Sequence, residues 1–195
     1  MKNFHKFTLY LCPKIWYTVF IFGKRRNMVI MEPVRLRRML LWLASFAWMG
    51  LIFWFSAQTA TESSASSDST LHFLLRFFRV DNMEEILADS VLFRLGTFIL
   101  RKSAHLFVFA VLGFLFCAAV CQYPASRLQK IALPLSLGVL YACIDELHQY
   151  FVPGRACQIR DVCIDTAGVL IGVFLALLIG RLLHRRRAKK QASAQ

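Results

Sequence analysis

The chain has 195 residues, of which 57% are hydrophobic, and it carries a formal net charge of +13. This composition is too apolar for a soluble domain of this size and indicates an integral membrane protein. The positive charge is concentrated before and after the apolar region, with no basic recognition helix or aromatic platform, so we predict no nucleic-acid partner.

Residues 1–38 are interpreted as an N-terminal extension that ends in a basic juxtamembrane segment. Residues 7–23 are apolar but interrupted by Pro13 and Lys14, and they lack the small-residue cleavage site of a signal peptide. The sequence leaves two readings open, an interfacial segment or a fifth span. Met28 and Met31 are plausible alternative first residues.

Four segments approach the length of about 20 mostly apolar residues that a membrane-spanning helix needs: 39–57, 105–121, 128–144 and 162–183. The basic clusters at both ends place the two termini, including the basic tail 184–195, in the cytoplasm. The sequence thus predicts an all-α, multi-pass protein of the cell membrane, with one domain (39–183) built as a bundle of about four transmembrane helices. Residues 58–102 and 145–161 then lie on the outer side.

The long outer loop has two parts. Residues 59–70 are rich in Ser, Thr and Ala and are predicted to be a loop. Residues 83–100 have helical periodicity, with Ile86, Leu87, Val91, Leu95 and Phe98 on one side, which predicts an amphipathic surface helix. That helix either covers the bundle or forms a lid over polar residues.

Small residues and cysteines receive structural interpretations. Gly168, Gly172, Ala176 and Gly180 recur every four residues in the fourth span, a pattern that allows close helix packing in a membrane. Cys117, Cys121 and Cys143 fall in apolar runs and no CxxC pair occurs, so neither a zinc motif nor a disulfide framework is indicated. Cys157 and Cys163 would pair only in an oxidising compartment.

Polar side chains from all four spans reach the same outer level under this topology. Ionisable groups beside a membrane are expensive and usually functional, and residues three or four positions apart share a helix face. The candidates are Ser56 and Gln58, then Lys102 and His105 with Arg101, then Asp145, Glu146, His148 and Gln149, and finally Arg155, Asp161 and Asp165.

Each candidate taken alone has a simpler structural interpretation. Arg101 and Lys102 would snorkel at a helix end, and Asp161 would be a helix N-cap. His105 would be a hydrogen-bonded structural histidine, and Pro153-Gly154 a turn. Together they favour a functional site over a self-neutralising network, because the carboxylates have no basic partner in their own helix turn and two histidines accompany them.

The chemistry of these residue types suggests roles. We assign acid-base catalysis to His105, Asp145, Glu146 and His148, since histidine exchanges protons near neutral pH and a carboxylate orients it. Lys102 and Arg155 would hold a phosphate, and the remaining polar residues would complete the binding site: Ser56, Gln58, Gln149, Asp161 and Asp165.

A metal site is an alternative, formed by His105, Asp145, His148 and Asp161. No established ligand spacing such as HExxH is present, so we predict no metal and no cofactor. The expected partner is a membrane lipid or a lipid-linked envelope precursor.

Three blocks of sequence resemble the VanZ-like family: Arg101 to His105, Asp145 to Arg155, and Asp161 to Gly168, with residues 55–58 fitting as well. The resemblance covers residues 40–183, and its long middle block is specific. Many proteins of that family carry Asn where this chain has Asp165. The resemblance implies a small bacterial membrane protein, of which a named relative is associated with resistance to the glycopeptide teicoplanin.

Two further functions remain open beside an enzyme or binder of anionic lipid. One is a non-enzymatic protein that binds the lipophilic antibiotic or shields its target. The other is a structural or assembly role, in which the polar residues would serve folding.

Overall fold

The structure is a computed structural model that describes residues 33–80, 87 and 89–193. Its helices are α1 (Pro33–Ser56), α2 (Ala60–Phe77), α3 (Ser90–Val120), α4 (Gln129–Tyr150) and α5 (Ile159–Ala192). The described residues contain no strand. The interpretations of residues 7–23, Met28 and Met31 lie outside the described residues.

Four of these helices, α1, α3, α4 and α5, are long and apolar enough to cross a membrane. They contain the four predicted spans and confirm the all-α transmembrane fold class. Their outer surfaces are strongly apolar; Leu43, Phe46 and Trp54 of α1, for example, are 58%, 60% and 71% exposed. Exposure of such a surface to water is unfavourable, whereas contact with lipid acyl chains is not.

The segment between α1 and α3 differs from the prediction in two places. Residues 60–70 belong to helix α2, because Thr59 and Glu62 form a capping box that satisfies free N–H groups at the helix start. Residues 90–100 are not a separate surface helix but the first turns of α3, which begins at the N-cap Asp89. Residues 83–86 and 88 lie outside the described part of the chain.

Helix α3 is longer than a bilayer requires. Its 31 residues extend over about 46 Å at about 1.5 Å per residue, compared with a hydrocarbon core of about 30 Å. Its early turns pack on α2, where Gly96 lies against Leu71 and His72 against the ring of Phe93. Helix α2 therefore packs against the early turns of α3, the residues that the sequence had assigned to a separate surface helix.

Helices α3 and α5 run parallel and form the closest pair in the bundle. A methyl group added at Gly168 or Gly172 would overlap the carbonyl of Leu106 or Ala110, and one at Gly113 would overlap Val169. Backbone therefore packs directly on backbone, as the small-residue pattern predicted for the first two positions. Gly180 has no such neighbour.

The remaining helices pack around this pair. Ile52, Phe109, Tyr141 and Val169, from four different helices, belong to one buried cluster. The indole of Trp48 donates to the carbonyl of Val108 at 2.8 Å. The hydroxyl of Tyr141 donates to the backbone carbonyl of Met49 at 2.6 Å. These bonds fix α1 against α3 and α4.

One end of the bundle, here called the basic end, contains the start of α1 and the α3–α4 loop. Arg38 donates from Nε and Nη2 to the carbonyl of Gln122, at 3.2 and 2.9 Å, and its guanidinium lies over the ring of Tyr123. Arg37 donates to the side chain of Gln122 at 3.4 Å. This grouping agrees with the predicted topology, which puts the basic cluster and this loop on the same side.

Candidate functional site

The opposite end of the bundle, called the polar end, gathers side chains from α1, α3, α4, α5 and the loop between α4 and α5. The chain reverses its direction between α1 and α3, and again between α4 and α5. The last turns of α1 and α4 therefore lie beside the early turns of α3 and α5. Because the last turns of two helices meet the first turns of the others, polar residues far apart in sequence become neighbours. The structure places most of the sequence-predicted residues here.

Two contacts connect α3 and α5. Lys102 Nζ forms an ion pair with Asp161 Oδ2, and His105 Nδ1 lies 3.5 Å from Asp165 Oδ1. Because the helices are parallel, the three-residue step on α3 matches the four-residue step on α5. Lys102 is thus held inward by a carboxylate rather than snorkelling, and its side chain is 17% exposed.

A second group connects α1 and α4. The hydroxyl of Ser56 donates to Asp145 Oδ2 at 2.9 Å, and the amide of Gln149 donates to the same oxygen at 3.0 Å. Ser56, Asp145 and Gln149 are 2%, 2% and 4% exposed. One oxygen of Asp145 therefore has two donors, while its Oδ1 has none.

Glu146 lies beside this group and is 1% exposed. Its Oε2 accepts a hydrogen bond from the backbone N–H of Gln158, at 3.0 Å, just where α5 begins. Gln158 is the N-cap of α5 and makes no capping bond with its own side chain. Glu146 therefore supplies an acceptor that the helix start needs, and its Oε1 remains without a partner.

The polar end is marked by unsatisfied atoms. Among the described residues, eight buried side-chain nitrogen or oxygen atoms have no hydrogen-bond partner, and all eight lie here: Arg101 Nε, His105 Nδ1, Asp145 Oδ1, Glu146 Oε1, His148 Nε2, Asp161 Oδ1, and both carboxylate oxygens of Asp165. Each such atom costs about 1–3 kcal/mol, more if charged. Folding alone does not explain why they are concentrated at one end.

Arg155 approaches the same region from the α4–α5 loop. Its N–H donates to the carbonyl of Val152 at 3.1 Å, with Gly154 between them at φ +76°. Proline followed by a glycine with positive φ is typical of a type II turn, as predicted for Pro153-Gly154. Burial and the nearby charge of Arg101 lower the pKa of Arg155, whereas Asp145 and Glu146 oppose this shift.

Arg101 and Arg155 therefore lie close enough for their like charges to interact. Among the described residues, neither has a carboxylate within 4.0 Å. Arg101 donates from Nη2 to the hydroxyl of Ser64 in α2, at 3.0 Å, and its Nε is buried without a partner. Guanidinium groups without a close carboxylate are chemically suited to an anion.

Two predicted site residues are not joined to this cluster by a described contact. The ring of His148 stacks on Phe53 of α1, with centroids 4.3 Å apart. This side chain of α4 therefore faces α1. Gln58 lies in the turn after α1, where its N–H donates to the carbonyl of Phe55. His148 nevertheless keeps a buried, unpartnered Nε2.

The structure also revises two simpler interpretations. Asp161 is not the N-cap of α5, because that position belongs to Gln158 and Asp161 lies in the first turn. Cys157 and Cys163 are both free and exposed. The sequence provided no reason to assign a binding role to Arg101 other than its position beside Lys102 in the Arg101 to His105 block. Nothing in the sequence pointed to Ser64.

The comparisons with known proteins give one match. The model of the family described as VanZ/LLP1 matches residues 41–180, a range that includes most of α1 and α5, all of α2, α3 and α4, and all the predicted site residues. No curated protein and no solved structure matches the chain.

Proposed function

Because the chain belongs to the VanZ/LLP1 family, we propose that this VanZ-like membrane protein binds an anionic, phosphate-bearing lipid of the bacterial envelope at its polar end. The observation that carries the proposal is that Arg101 and Arg155, beside a buried cluster of unsatisfied polar atoms, have no carboxylate within 4.0 Å among the described residues. An arginine pair suits a phosphate because each guanidinium offers parallel N–H donors.

The location favours a lipid over a soluble anion. The cluster lies where four apolar helices end, the depth at which a headgroup meets water while its acyl chains lie against the helices. Helix α2 covers one side, through the Arg101–Ser64 bond and the bond from the N–H of Ala60 to the carbonyl of Pro153. A headgroup would replace the water that these charges otherwise need.

The neighbouring groups support acid-base chemistry on the bound lipid. Atoms of His105, Asp145 and Asp165 lie within 4.8 Å of one another, and Glu146 is buried with one oxygen that has no hydrogen-bond partner. In this proposal, His105, Asp145, Glu146 and His148 move protons, while Lys102, Arg155, Ser56, Gln58, Gln149, Asp161 and Asp165 orient the headgroup. Resistance to teicoplanin, implied by the resemblance, would follow if the lipid were an envelope precursor.

A direct test measures lipid binding by native mass spectrometry. Protein in detergent is offered phosphatidylglycerol and phosphatidylcholine, and we expect a preference for the anionic lipid. The double variant Arg101→Gln/Arg155→Gln should lose that preference. Arg76→Gln/Arg94→Gln is the matched control, because both arginines are exposed on α2 and α3 and neither forms an ion pair among the described residues. An unchanged preference in the double variant would refute the anion site.

A second test separates an enzyme from a binder. His148→Phe keeps the stack on Phe53 but removes the unpartnered nitrogen, and Glu146→Gln keeps the shape of the side chain. In a teicoplanin-susceptible bacterial host, both should reach wild-type membrane abundance while losing resistance. A modified lipid in extracts from wild-type cells alone supports catalysis; resistance without a modified lipid supports antibiotic or target binding. Loss of abundance first would indicate a structural role.

Sidedness is tested by cysteine labelling. In a background without native cysteines, Ala156→Cys at the polar end and Arg127→Cys at the basic end occupy exposed positions. An outward polar end requires an impermeant reagent to label only Ala156→Cys in intact cells. Labelling of only Arg127→Cys would place the site in the cytoplasm.

A further inference from the structure

Three potential metal ligands from three different helices converge at the centre of the polar end. Atoms of His105 on α3, Asp145 on α4 and Asp165 on α5 all lie within 4.8 Å of one another. Metal–ligand bonds of about 2.0–2.2 Å place neighbouring ligand atoms about 3–3.5 Å apart. His105 Nδ1 and Asp165 Oδ1 are already separated by 3.5 Å, so a small inward movement of Asp145 completes the geometry.

The unsatisfied atoms point into the same space. Asp165 is fully buried, neither of its carboxylate oxygens has a hydrogen-bond partner, and the nearest ionisable group that forms a contact with it is His105, at 3.5 Å. Asp145 is 2% exposed and leaves Oδ1 unpartnered. Carboxylates buried in this way require a proton or a cation, because an uncompensated charge away from water is costly.

The local charges leave room for a cation. The ammonium of Lys102 is bound to Asp161, and Arg155 has no carboxylate within 4.0 Å among the described residues. Two ionised aspartates and a neutral imidazole would balance the charge of a divalent ion. Glu146 lies near enough to interact with both aspartates and adds further negative charge around the site.

We infer that His105, Asp145 and Asp165 form a binding site for one divalent transition-metal ion. An imidazole nitrogen with two carboxylate oxygens suits Zn²⁺ or Mn²⁺ better than Mg²⁺, which retains water and prefers oxygen ligands alone. Three protein ligands leave a coordination position open, as in catalytic zinc sites. The inference does not depend on the proposed lipid ligand. With the ion bound, His105, Asp145 and Asp165 serve as ligands, and proton transfer in the proposed function falls to Glu146 and His148.

This set differs from the metal alternative considered in the sequence, which included His148 and Asp161. His148 stacks on Phe53 and Asp161 is bound to Lys102, so both are engaged elsewhere. Asp165 takes their place because it faces His105 across the α3–α5 contact. Ligands contributed singly by three helices leave no spacing motif, which is why the pattern could not reveal them.

The test uses the tag-free, full-length protein in detergent, stripped with a chelator and dialysed separately against Zn²⁺, Mn²⁺ and Mg²⁺. Elemental analysis should find one Zn²⁺ or Mn²⁺ per chain and no stoichiometric Mg²⁺. Thermal stability should increase with metal concentration, as expected when a ligand binds only the folded state.

The variants His105→Gln and Asp165→Asn should bind the metal far more weakly, by more than the roughly 10- to 100-fold that outer-shell changes cost. The matched controls Asp68→Asn on α2 and His184→Gln near the end of α5 should bind it as the wild type does. Size-exclusion profiles confirm that each variant is folded, and Co²⁺ provides an independent readout through its visible absorption.

Wild-type protein without stoichiometric Zn²⁺ or Mn²⁺ would overturn the inference. So would equal binding by the folded Asp165→Asn variant, which would show that the metal is adventitious. The Arg101→Gln/Arg155→Gln double variant separates the two proposals. If it loses the preference for anionic lipid but still binds the metal, the two sites are independent, and failure of one proposal leaves the other standing.

Discussion

The two ends of the bundle use their polar residues in opposite ways. At the basic end, Arg38 donates twice to the Gln122 carbonyl, and none of the eight unpartnered buried atoms lies there. At the polar end, Asp165 is fully buried with both oxygens unpartnered. At the basic end the polar groups are used in contacts within the fold, whereas at the polar end part of them is left available, which is the basis of the two proposals.

Both ends of the bundle depend on the same packed helices. The largest effect is therefore expected from a change in the α3–α5 contact. Gly172→Leu would force a side chain into the Ala110 backbone, and overpacking should destabilise the protein by about 3 kcal/mol. We expect most of the variant to be missing from membranes on immunoblots. Gly180→Leu, with open space around its Cβ, should accumulate normally; equal loss of both would refute the packing account.

A test of opposite sign compares one residue from each end. In the presence of chelator, Asp165→Asn should raise the free energy of unfolding by about 1–3 kcal/mol, because it removes a fully buried charge that has no hydrogen-bond partner and lies 3.5 Å from the His105 ring nitrogen, a contact too weak to offset its desolvation. Arg38→Met should lower it by about 1–2 kcal/mol, because two hydrogen bonds are lost. Denaturation in detergent measures both, and destabilisation by Asp165→Asn would make the polar end a structural network.

A smaller effect is expected within α1. Ser56→Ala removes a donor from buried Asp145 and should destabilise the protein by about 1 kcal/mol. Ser45→Ala is the control, because Ser45 is also buried but donates only to the Leu41 carbonyl of its own helix, a bond that contributes little. Equal stability of the two variants would show that Asp145 does not depend on Ser56.

The smallest effect concerns the edge of the polar end. Hydrogen bonds from the Thr59 backbone and hydroxyl lower the pKa of Glu62 from 4.5. A lowered pKa means that the capping contribution is complete above pH 4.5 and disappears as the pH falls through the folded value. Amide exchange protection in the first turn of α2 should therefore decrease at low pH.

Glu62→Gln supplies the control for this pH dependence, because its side chain does not titrate in this range. In that variant, amide exchange protection in the first turn of α2 should show no step between pH 6 and the pH at which the whole protein unfolds. A step of the same size in the variant would assign the effect to another group.

The sequence predicted the helices better than the loop between them. Spans were recognisable because a lipid environment requires long apolar runs with internally satisfied backbones. The Ser/Thr-rich stretch at 59–70 was assigned to a loop on composition, although Thr59 and Glu62 have the spacing of a capping box. The start of α3 was placed too late, because apolar content alone does not reveal a helix that extends beyond the bilayer.

For the site, the sequence determined which residue types are available and at which end of each span they lie. It could not decide that Asp161 pairs with Lys102, that His148 turns to Phe53, or that Arg101 approaches Arg155. Those choices depend on how closely α3 and α5 pack and on the turn at Gly154. Hydrophobic periodicity fixes position along a helix, but only contacts between helices fix which side chains meet.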